Sequence, residues 1–255
     1  MSALKTASVM LVAGFSINAF AADFSFDRPG TGIGTGITPI GQLAWEQGLP
    51  SARYDEERID GVKQKTLALN ADMLFRTGLA KDLELQLGWQ GPAWSKVKRV
   101  GESFEEDGLG DISIGLKKAI NLDDDKLSMA ILAEAILATG NDSFSQHDDI
   151  YSLTSAVAYE YSDLINTSIT MRYEAQNSDW AVMAVPTITY KIADKWSGFS
   201  ELVYRKAEST PYEYALGSGL MYALNERVQM DGSVGVSLNG QHKSYQSGLG
   251  IAFLF

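Results

Sequence analysis

The feature of this sequence that most constrains its fold is an alternation of apolar and polar residues with a period of two. Between Thr66 and Arg76, most odd-numbered positions are apolar and most even-numbered positions are polar. Successive side chains of a β-strand point to opposite faces, whereas a helix would scatter these apolar residues around its axis. After residue 21 the chain shows no convincing helical period. The sequence therefore predicts an all-β fold.

Alternating segments of this kind recur along the chain, and twelve can be delimited. The connections between them are alternately short and long, which is typical of an up-and-down transmembrane barrel with tight periplasmic turns. Segments of about ten residues, tilted by about 45°, also match the apolar thickness of an outer membrane. We therefore predict a 12-stranded antiparallel up-and-down transmembrane β-barrel with both termini periplasmic. The predicted strands are 37–49, 64–77, 82–91, 109–120, 126–138, 150–162, 164–175, 181–193, 195–206, 212–224, 227–239 and 244–255.

Aromatic residues cluster near both ends of the predicted strands. Tyr159, Trp196 and Tyr222 lie beside short connections, and Trp94 and Trp180 lie beside long ones. Amphipathic rings prefer the two membrane interfaces, so two aromatic belts are expected. Ordinary enrichment of aromatic residues in β-strands is the alternative explanation.

The C-terminus carries a second membrane-barrel feature. Leu249, Ile251, Phe253 and Phe255 alternate up to the last residue. This ending resembles the signal read by the bacterial barrel assembly machinery. We therefore expect that machinery, through the strand ending at Phe255, and outer-membrane lipid as partners.

The N-terminus has the pattern of a cleaved export signal. Residues 1–21 combine Lys5 with an apolar run and end in small residues at Ala19 and Ala21, as signal peptidase requires. The run is too short for a membrane anchor, which needs about 20 apolar residues. We expect a Gram-negative outer-membrane protein.

The predicted organisation has three parts. A signal peptide spans 1–21, and a Gly-rich N-terminal segment spans 22–36. The outer-membrane β-barrel spans 37–255. Because residues 22–36 precede the first strand, they could fold inside the barrel as a plug.

Composition removes several classes of function. The 255 residues hold 21 Lys and Arg, 32 Asp and Glu, two His and no Cys, giving a formal net charge of −11. An acidic surface repels phosphate backbones, so we expect no nucleic-acid partner. Disulfides and thiolate metal sites are impossible, and His147 and His242 are far apart in sequence. We predict no metal and no cofactor.

The polar face of the predicted strands should line the barrel interior. Ionised groups there must be hydrated or paired. Twelve strands close a ring of roughly 12 Å backbone radius, which leaves room for a narrow passage. The charges on this face have both signs, which disfavours a strongly ion-selective pore. Such a face is compatible both with a structural ion-pair network and with a wall that selects solutes. The predicted pore-lining residues are Asp72, Arg76, Glu84, Lys117, Glu134, Glu160, Arg172, Glu174, Glu201, Arg205 and Asp231, and Gln86, Asp111 and Gln229 share their face.

Enzyme motifs are weak. The alternating glycines from Gly30 to Gly36 lack the dinucleotide-binding spacing and indicate a flexible entry segment. No G-x-S-x-G motif occurs. His242 and Ser244 resemble the His and Ser of an outer-membrane phospholipase, where the two residues face lipid. Here the alternation along the strand predicts that both side chains face the lumen. His147 beside two acids is most simply a solvated loop residue. We predict no enzyme and no catalytic residue.

Several short segments resemble a known family. They are Asp27-Arg28-Pro29, residues 42–48, residues 82–85, the segment from Gly108 to Lys117, and residues 139–142. They look like the outer-membrane β-barrel family named for the meta-pathway of phenol degradation. The resemblance implies a transporter of small, including hydrophobic or aromatic, molecules and implies no catalytic residues. Ala138 departs from the family, which usually has Pro before the Thr-Gly pair.

The expected function is passive, porin-like uptake or efflux of a small-molecule solute. A plugged or closed barrel with a structural or surface-binding role, using loops at 50–63 and 92–108, is the alternative. A lipid hydrolase is the third hypothesis.

Overall fold

The computed structural model describes residues 24–208, 210–238 and 243–255, so the predicted signal peptide lies outside the described residues. Within them, no helix is long and apolar enough to cross a membrane. A short 3-10 helix spans Asp142–Phe144. The strands are β1 (Leu43–Ile59), β2 (Val62–Asn70), β3 (Met73–Ala80), β4 (Leu83–Trp89), β5 (Pro92–Arg99), β6 (Glu102–Leu109), β7 (Ile112–Ile120), β8 (Leu127–Leu137), β9 (Ile150–Ser162), β10 (Ile165–Gln176), β11 (Asp179–Lys191), β12 (Trp196–Ala207), β13 (Glu213–Asn225), β14 (Val228–Ser237) and β15 (Lys243–Leu254).

These strands close into one antiparallel barrel. From β7 to β15 each strand pairs with the next, and β15 returns to pair with β1. The segments β2 and β3, β4 and β5, and β6 and β7 are successive halves of single barrel strands, interrupted at 71–72, 90–91 and 110–111. The result is a closed 12-strand barrel. The predicted fold class is confirmed.

The predicted loops at 50–63 and 92–108 are wrong. β1 continues to Ile59 and pairs with β2, and β5 pairs with β6. The turns are only two residues long, at Asp60-Gly61 and Val100-Gly101, and all four have positive φ, which matches the twist of a hairpin. These segments were predicted as loops because both of their faces are polar, so the sequence lacks the alternation that marks a strand. Strands that extend beyond the lipid need no apolar face.

The interruptions lie at one level on neighbouring strands and do not open the wall. The Ala71 amide donates to the Pro92 carbonyl at 3.1 Å, and the Gln90 amide donates to the Asp111 carbonyl at 2.9 Å. Gly91 has φ of 81° and lies against the Ala71 carbonyl, where no side chain would fit. Hydrogen bonds therefore continue across the interruptions.

The outer surface suits lipid. Leu, Ile, Val and aromatic side chains are exposed on the outward face of most strands. Trp196 packs on Tyr222 at 4.7 Å near the end that carries Phe255, and Tyr204 packs near Tyr214 at 5.4 Å near the opposite end. Aromatic rings thus flank an apolar band on both sides.

The barrel begins later than the sequence predicted. β1 starts at Leu43, not at residue 37. The Thr38 amide donates to the carboxylate of Glu84 inside the barrel, and Gly41 has φ of 77°. Residues 37–42 therefore continue the segment that precedes the barrel. We call residues 24–42 the inner segment.

Candidate channel lumen

The inner segment follows the inward face of the barrel wall. Near its C-terminal end, the Thr35 and Ser128 hydroxyl oxygens are 2.8 Å apart. Further back, the Ile33 amide donates to Thr170 Oγ1 at 3.2 Å. The segment thus passes from β8 to β10, crossing the lumen side of the wall.

Its next contacts are with β12, β14 and the β2–β3 interruption. The Thr31 amide donates to both carboxylate oxygens of Glu201, at 3.0 and 3.1 Å. The Gln229 side chain donates to the Arg28 carbonyl at 3.0 Å, and the Arg28 guanidinium lies 2.9 Å from Asp72. The segment has then travelled around most of the inner circumference.

A buried guanidinium fixes the start of the segment. Arg76 Nη1 donates to Glu46 Oε1 and to the Ser25 carbonyl, both at 2.9 Å. Arg76 Nε donates to Glu84 Oε1 at 2.9 Å, and Nη2 donates to the Gly36 carbonyl at 3.2 Å. One side chain on β3 therefore holds two wall strands and two separate points of the inner segment, at residues 25 and 36.

Asp27 completes this group. Its carboxylate lies 3.1 Å from Lys117 Nζ and accepts the Gly34 amide at 2.8 Å. We call Asp27, Glu46, Arg76, Glu84 and Lys117 the Arg76 cluster. The side chains of Arg76, Glu46, Glu84 and Lys117 are 0% exposed and that of Asp27 is 8% exposed. Charges removed from water in this way are stable only as partners of one another.

The alternating glycines permit the close approach of the inner segment. A Cβ on Gly32 would lie 2.9 Å from Thr170 Oγ1, and one on Gly34 would lie 3.0 Å from Ser25 Oγ. Gly30 has φ of 118° and lies beside Glu201. The sequence indicated only a flexible entry segment, whereas the glycines fit backbone against a crowded wall.

A second row of charges lies toward the end of the barrel away from the termini. Arg172 lies 3.1 Å from Glu134 and 2.8 Å from Glu174, while Arg205 lies 3.5 Å from Glu174 and 3.6 Å from Glu213. We call these five residues the mouth ladder. Its charges alternate in sign along the wall, and the pairs of Arg205 are long and partly exposed.

A cavity of about 1090 Å³ opens beside the mouth ladder. Gly30 and Thr31 of the inner segment form part of its lining. The other lining side chains combine apolar and charged groups. They include Arg53, Met183, Phe199, Glu201, Arg205 and Tyr212.

Ten of the eleven predicted pore-lining residues divide into three groups, and Glu160 stands apart. Arg76, Glu84 and Lys117 contact the inner segment in the Arg76 cluster, and Glu134, Arg172, Glu174 and Arg205 belong to the mouth ladder. Asp72, Glu201 and Asp231 approach the inner segment from other sides, with Asp231 3.5 Å from Arg28. Glu160 is exposed near the end that carries the termini.

Three central residues were missed as site candidates. Glu46 lies on β1 between outward-facing Trp45 and Gln47, so strand parity could have found it. Asp27 and Arg28 precede the first strand, where no periodicity applies. They appeared only in the resemblance to the family.

Asp111 organises the longest described loop. Its Oδ1 accepts the amides of Thr139 at 3.0 Å and Gly140 at 2.8 Å, and its Oδ2 accepts the amide of Gln146 at 2.8 Å. The loop between β8 and β9 is thereby tied to the inner face of the β6–β7 interruption.

Two of the segments that resemble the family, Gly108–Lys117 and residues 139–142, meet at this point. The Leu109 amide donates to Asn141 Oδ1 at 2.7 Å, and the Asn141 amide donates to the Leu109 carbonyl at 2.9 Å. A Cβ on Gly108 would lie 2.7 Å from the ring of Phe144. The glycines and polar residues of these segments therefore serve loop packing.

The hydrolase candidates do not form a lipid-facing site. The Ser244 side chain shares the inward face with Asp55, its partner in register, and is buried. His242 lies outside the described residues. His147 is exposed in the β8–β9 loop at φ of 65°.

The sequence matches one family model over residues 26–255, that of the family described as "Putative MetA-pathway of phenol degradation". Among curated proteins, none matches this sequence.

Three solved structures share the fold. The COG4313 outer membrane channel from Pseudomonas putida F1 is 12% identical with a TM-score of 0.64, covering 85% of this chain and 96% of that one. The translocator domain of the autotransporter NalP from Neisseria meningitidis is 10% identical with a TM-score of 0.59, covering 89% and 90%. The transport unit of AIDA-I from Escherichia coli is 10% identical with a TM-score of 0.51, covering 82% and 89%. This chain therefore has the fold of an outer-membrane barrel.

Proposed function

We propose, from the premise that this chain belongs to the family described as "Putative MetA-pathway of phenol degradation", that it is an outer-membrane channel for passive passage of small molecules. The inner segment is its plug. Solute enters the cavity beside the mouth ladder and crosses when the inner segment yields.

The single observation that carries this proposal is the cavity of about 1090 Å³ that ends on Gly30 and Thr31. A purely structural barrel needs no chamber of this size between its wall and its plug. Small-ligand sites commonly measure about 300–1,000 Å³. The chamber therefore suits one small solute with accompanying water.

The cavity lining supports small solutes that are apolar or aromatic with a polar group. Met183 and Phe199 offer apolar and aromatic contact, while Arg53 and Arg205 offer hydrogen-bond donors. Such a mixture is typical of ligand sites, where apolar surface supplies affinity and a few polar groups supply orientation. The COG4313 structure is also described as an outer membrane channel.

The inner segment is held by buried charges at its start and by hydrogen bonds further along, so one part of it can move while the other stays fixed. Asp27 and Ser25 are held by buried charges in the Arg76 cluster. Residues near Thr31 and Ile33 are held by hydrogen bonds to Glu201 and Thr170. The buried charges anchor the segment, so the stretch near residues 30–35, which within the described part of the chain reaches the Arg76 cluster only through the Gly34 amide, is the part that moves to admit solute.

We further propose that both termini are periplasmic and that the cavity faces the cell exterior. The β8–β9 loop and the charged hairpins of β1–β2 and β5–β6 are at the end away from Phe255. Barrels of this class place longer loops outside and short turns inside. The strand ending at Phe255 would then engage the assembly machinery from the periplasm.

The decisive experiment is single-channel conductance in a planar bilayer, comparing the refolded mature protein with a variant lacking residues 22–36. The proposal predicts rare or small openings in the mature protein and larger, frequent openings in the variant. Silence in both, with barrel folding shown by heat-modifiable gel migration, would favour a closed structural barrel. Equal conductance in both would reject the plug while retaining the channel.

A further inference from the structure

Several cations lie close together on the outward face of the barrel, beyond the aromatic belt at the end away from Phe255. Arg58 on β1, Lys63 and Lys65 on β2, and Lys96 and Lys98 on β5 share this face. We call these five residues the basic patch. The chain as a whole has a formal net charge of −11, so the patch has the opposite sign to the molecule.

The register brings like charges together in the patch. Lys65 is directly opposite Lys98 on the neighbouring strand. Like charges directly opposite one another destabilise a sheet. An arrangement of this kind is compatible with a folded strand pair when an anion lies between the two ammonium groups.

Nearby acids compensate only part of this charge. Glu56 lies 2.6 Å from Lys63, and Glu105 is paired with Lys96. Glu56 is also directly opposite Lys65 on the neighbouring strand, so it is shared between Lys63 and Lys65. Lys98 lies between Lys65 and Ser103, neither of which is an acid, so the excess of positive charge is centred on the Lys98 side of the pair.

The height of the patch relative to the membrane identifies its partner. Trp94 on β5 belongs to the outward aromatic face, and Lys96 and Lys98 follow it on the same face. Since a strand rises about 3.4 Å per residue and barrel strands tilt by about 45°, Lys96 and Lys98 lie about 5 and 10 Å beyond the Trp94 ring along the membrane normal. Aromatic belts lie at the headgroup level, so the cations are at the level of lipid phosphates and sugars.

We propose that the basic patch binds the phosphate groups of a phosphorylated glycolipid in the outer leaflet, of the lipid A type. Lys65 and Lys98 clasp one phosphate, and Arg58 and Lys63 border it. The hairpins extend beyond the lipid as a polar sheet that this contact holds against the membrane surface. This inference rests on the orientation given under the proposed function, and not on channel activity.

The test is native mass spectrometry of the refolded mature protein in neutral detergent, titrated with diphosphoryl lipid A. The variant Lys65→Gln/Lys98→Gln should bind about 30-fold more weakly, since each cation near an anionic lipid surface contributes about five-fold. The matched control is Lys118→Gln/Lys126→Gln, which removes the same charge from exposed sites near the opposite end. It should bind as the parent does.

Two further measurements, a salt titration and a competition with inorganic pyrophosphate, test whether binding is electrostatic and specific for the lipid. Binding by the parent protein should weaken as salt increases, because the contact is electrostatic, and this arm needs no variant. Inorganic pyrophosphate at equal phosphate concentration should displace lipid A poorly. Equal loss in both double variants, salt-independent binding, or full displacement by pyrophosphate would overturn the proposal. Because detergent removes membrane orientation and solute flow, failure here would leave the channel proposal standing.

Discussion

The guanidinium of Arg76 on β3 lies 2.9 Å from the carboxylate of Glu46 on β1, and neither side chain is exposed. The same guanidinium reaches Glu84 and the carbonyls of Ser25 and Gly36. A charge buried at this point has no role in a wide aqueous pore. It ties the inner segment to the wall, which makes the Arg76 cluster the anchor of that segment.

Replacing Arg76 should destabilise the barrel. Arg76→Met leaves the carboxylates of Asp27, Glu46 and Glu84 buried with only Lys117 to compensate them. Removing one partner of a buried ion pair typically costs about 3–5 kcal/mol. Urea unfolding in micelles, followed by tryptophan fluorescence, measures the change in free energy of unfolding.

The matched control is Arg58→Met, at an exposed position of the β1–β2 hairpin. A surface substitution of this kind should stay within about 0.5 kcal/mol. Equal unfolding midpoints for the parent and the Arg76 variant would show that the cluster contributes little.

A side chain at Gly32 should loosen the inner segment without harming the barrel. In Gly32→Val the new Cβ would lie 2.9 Å from Thr170 Oγ1, so the segment must move away from β10. We expect more frequent channel openings and faster proteolysis near residue 32, with unchanged gel migration of the folded barrel. Bilayer recording and timed digestion measure both.

Gly232→Val is the control, because a Cβ there crowds only the flexible end of outward-facing Leu249, at 3.2 Å, away from the inner segment. Identical opening frequencies for the two glycine variants would count against close packing of the segment as the cause of closure.

The β8–β9 loop should depend on the charge of Asp111. Asp111→Asn replaces one acceptor oxygen by an amide donor that faces the backbone amides of Thr139, Gly140 or Gln146. Hydrogen bonds to a charged group contribute about 1.5–3 kcal/mol each. Amide hydrogen exchange at those three residues should accelerate at least ten-fold.

Asp142→Asn changes an exposed carboxylate of the same loop. It should leave exchange at Thr139 and Gly140 unchanged. Similar acceleration in both variants would mean that the loop responds to net charge, and not to the acceptor geometry of Asp111.

The architecture was predictable because a membrane barrel repeats one local rule. Lipid requires an apolar outward face at every second residue, so strand β15 and the pairing of β9 with β10 were delimited nearly correctly from alternation alone. The same rule failed where lipid is absent. The hairpin ends of β1, β2, β5 and β6 are polar on both faces, and the sequence pattern there is that of a loop.

The inward positions were predictable by parity, but their partners were not. Arg76 and Glu84 were placed on the inner face, yet their grouping with Asp27 depends on a segment with no secondary structure. Only the glycine at every second position from Gly30 to Gly36 marked that segment. Its path is set by tertiary contacts, such as those of Thr31 and Ile33, which no local pattern encodes.

The central claim is that the inner segment closes the lumen and opens it by moving, and a reversible lock tests it most directly. The chain has no Cys, and the hydroxyl oxygens of Thr35 and Ser128 are 2.8 Å apart, so Thr35→Cys/Ser128→Cys should form a single disulfide. Bilayer conductance is recorded for the oxidised protein and again after reduction, with each single cysteine variant as the control. We predict that oxidation abolishes the openings, that reduction restores them, and that neither single variant responds. Equal conductance in the oxidised and reduced double variant, with the disulfide shown by mass spectrometry, would contradict the account.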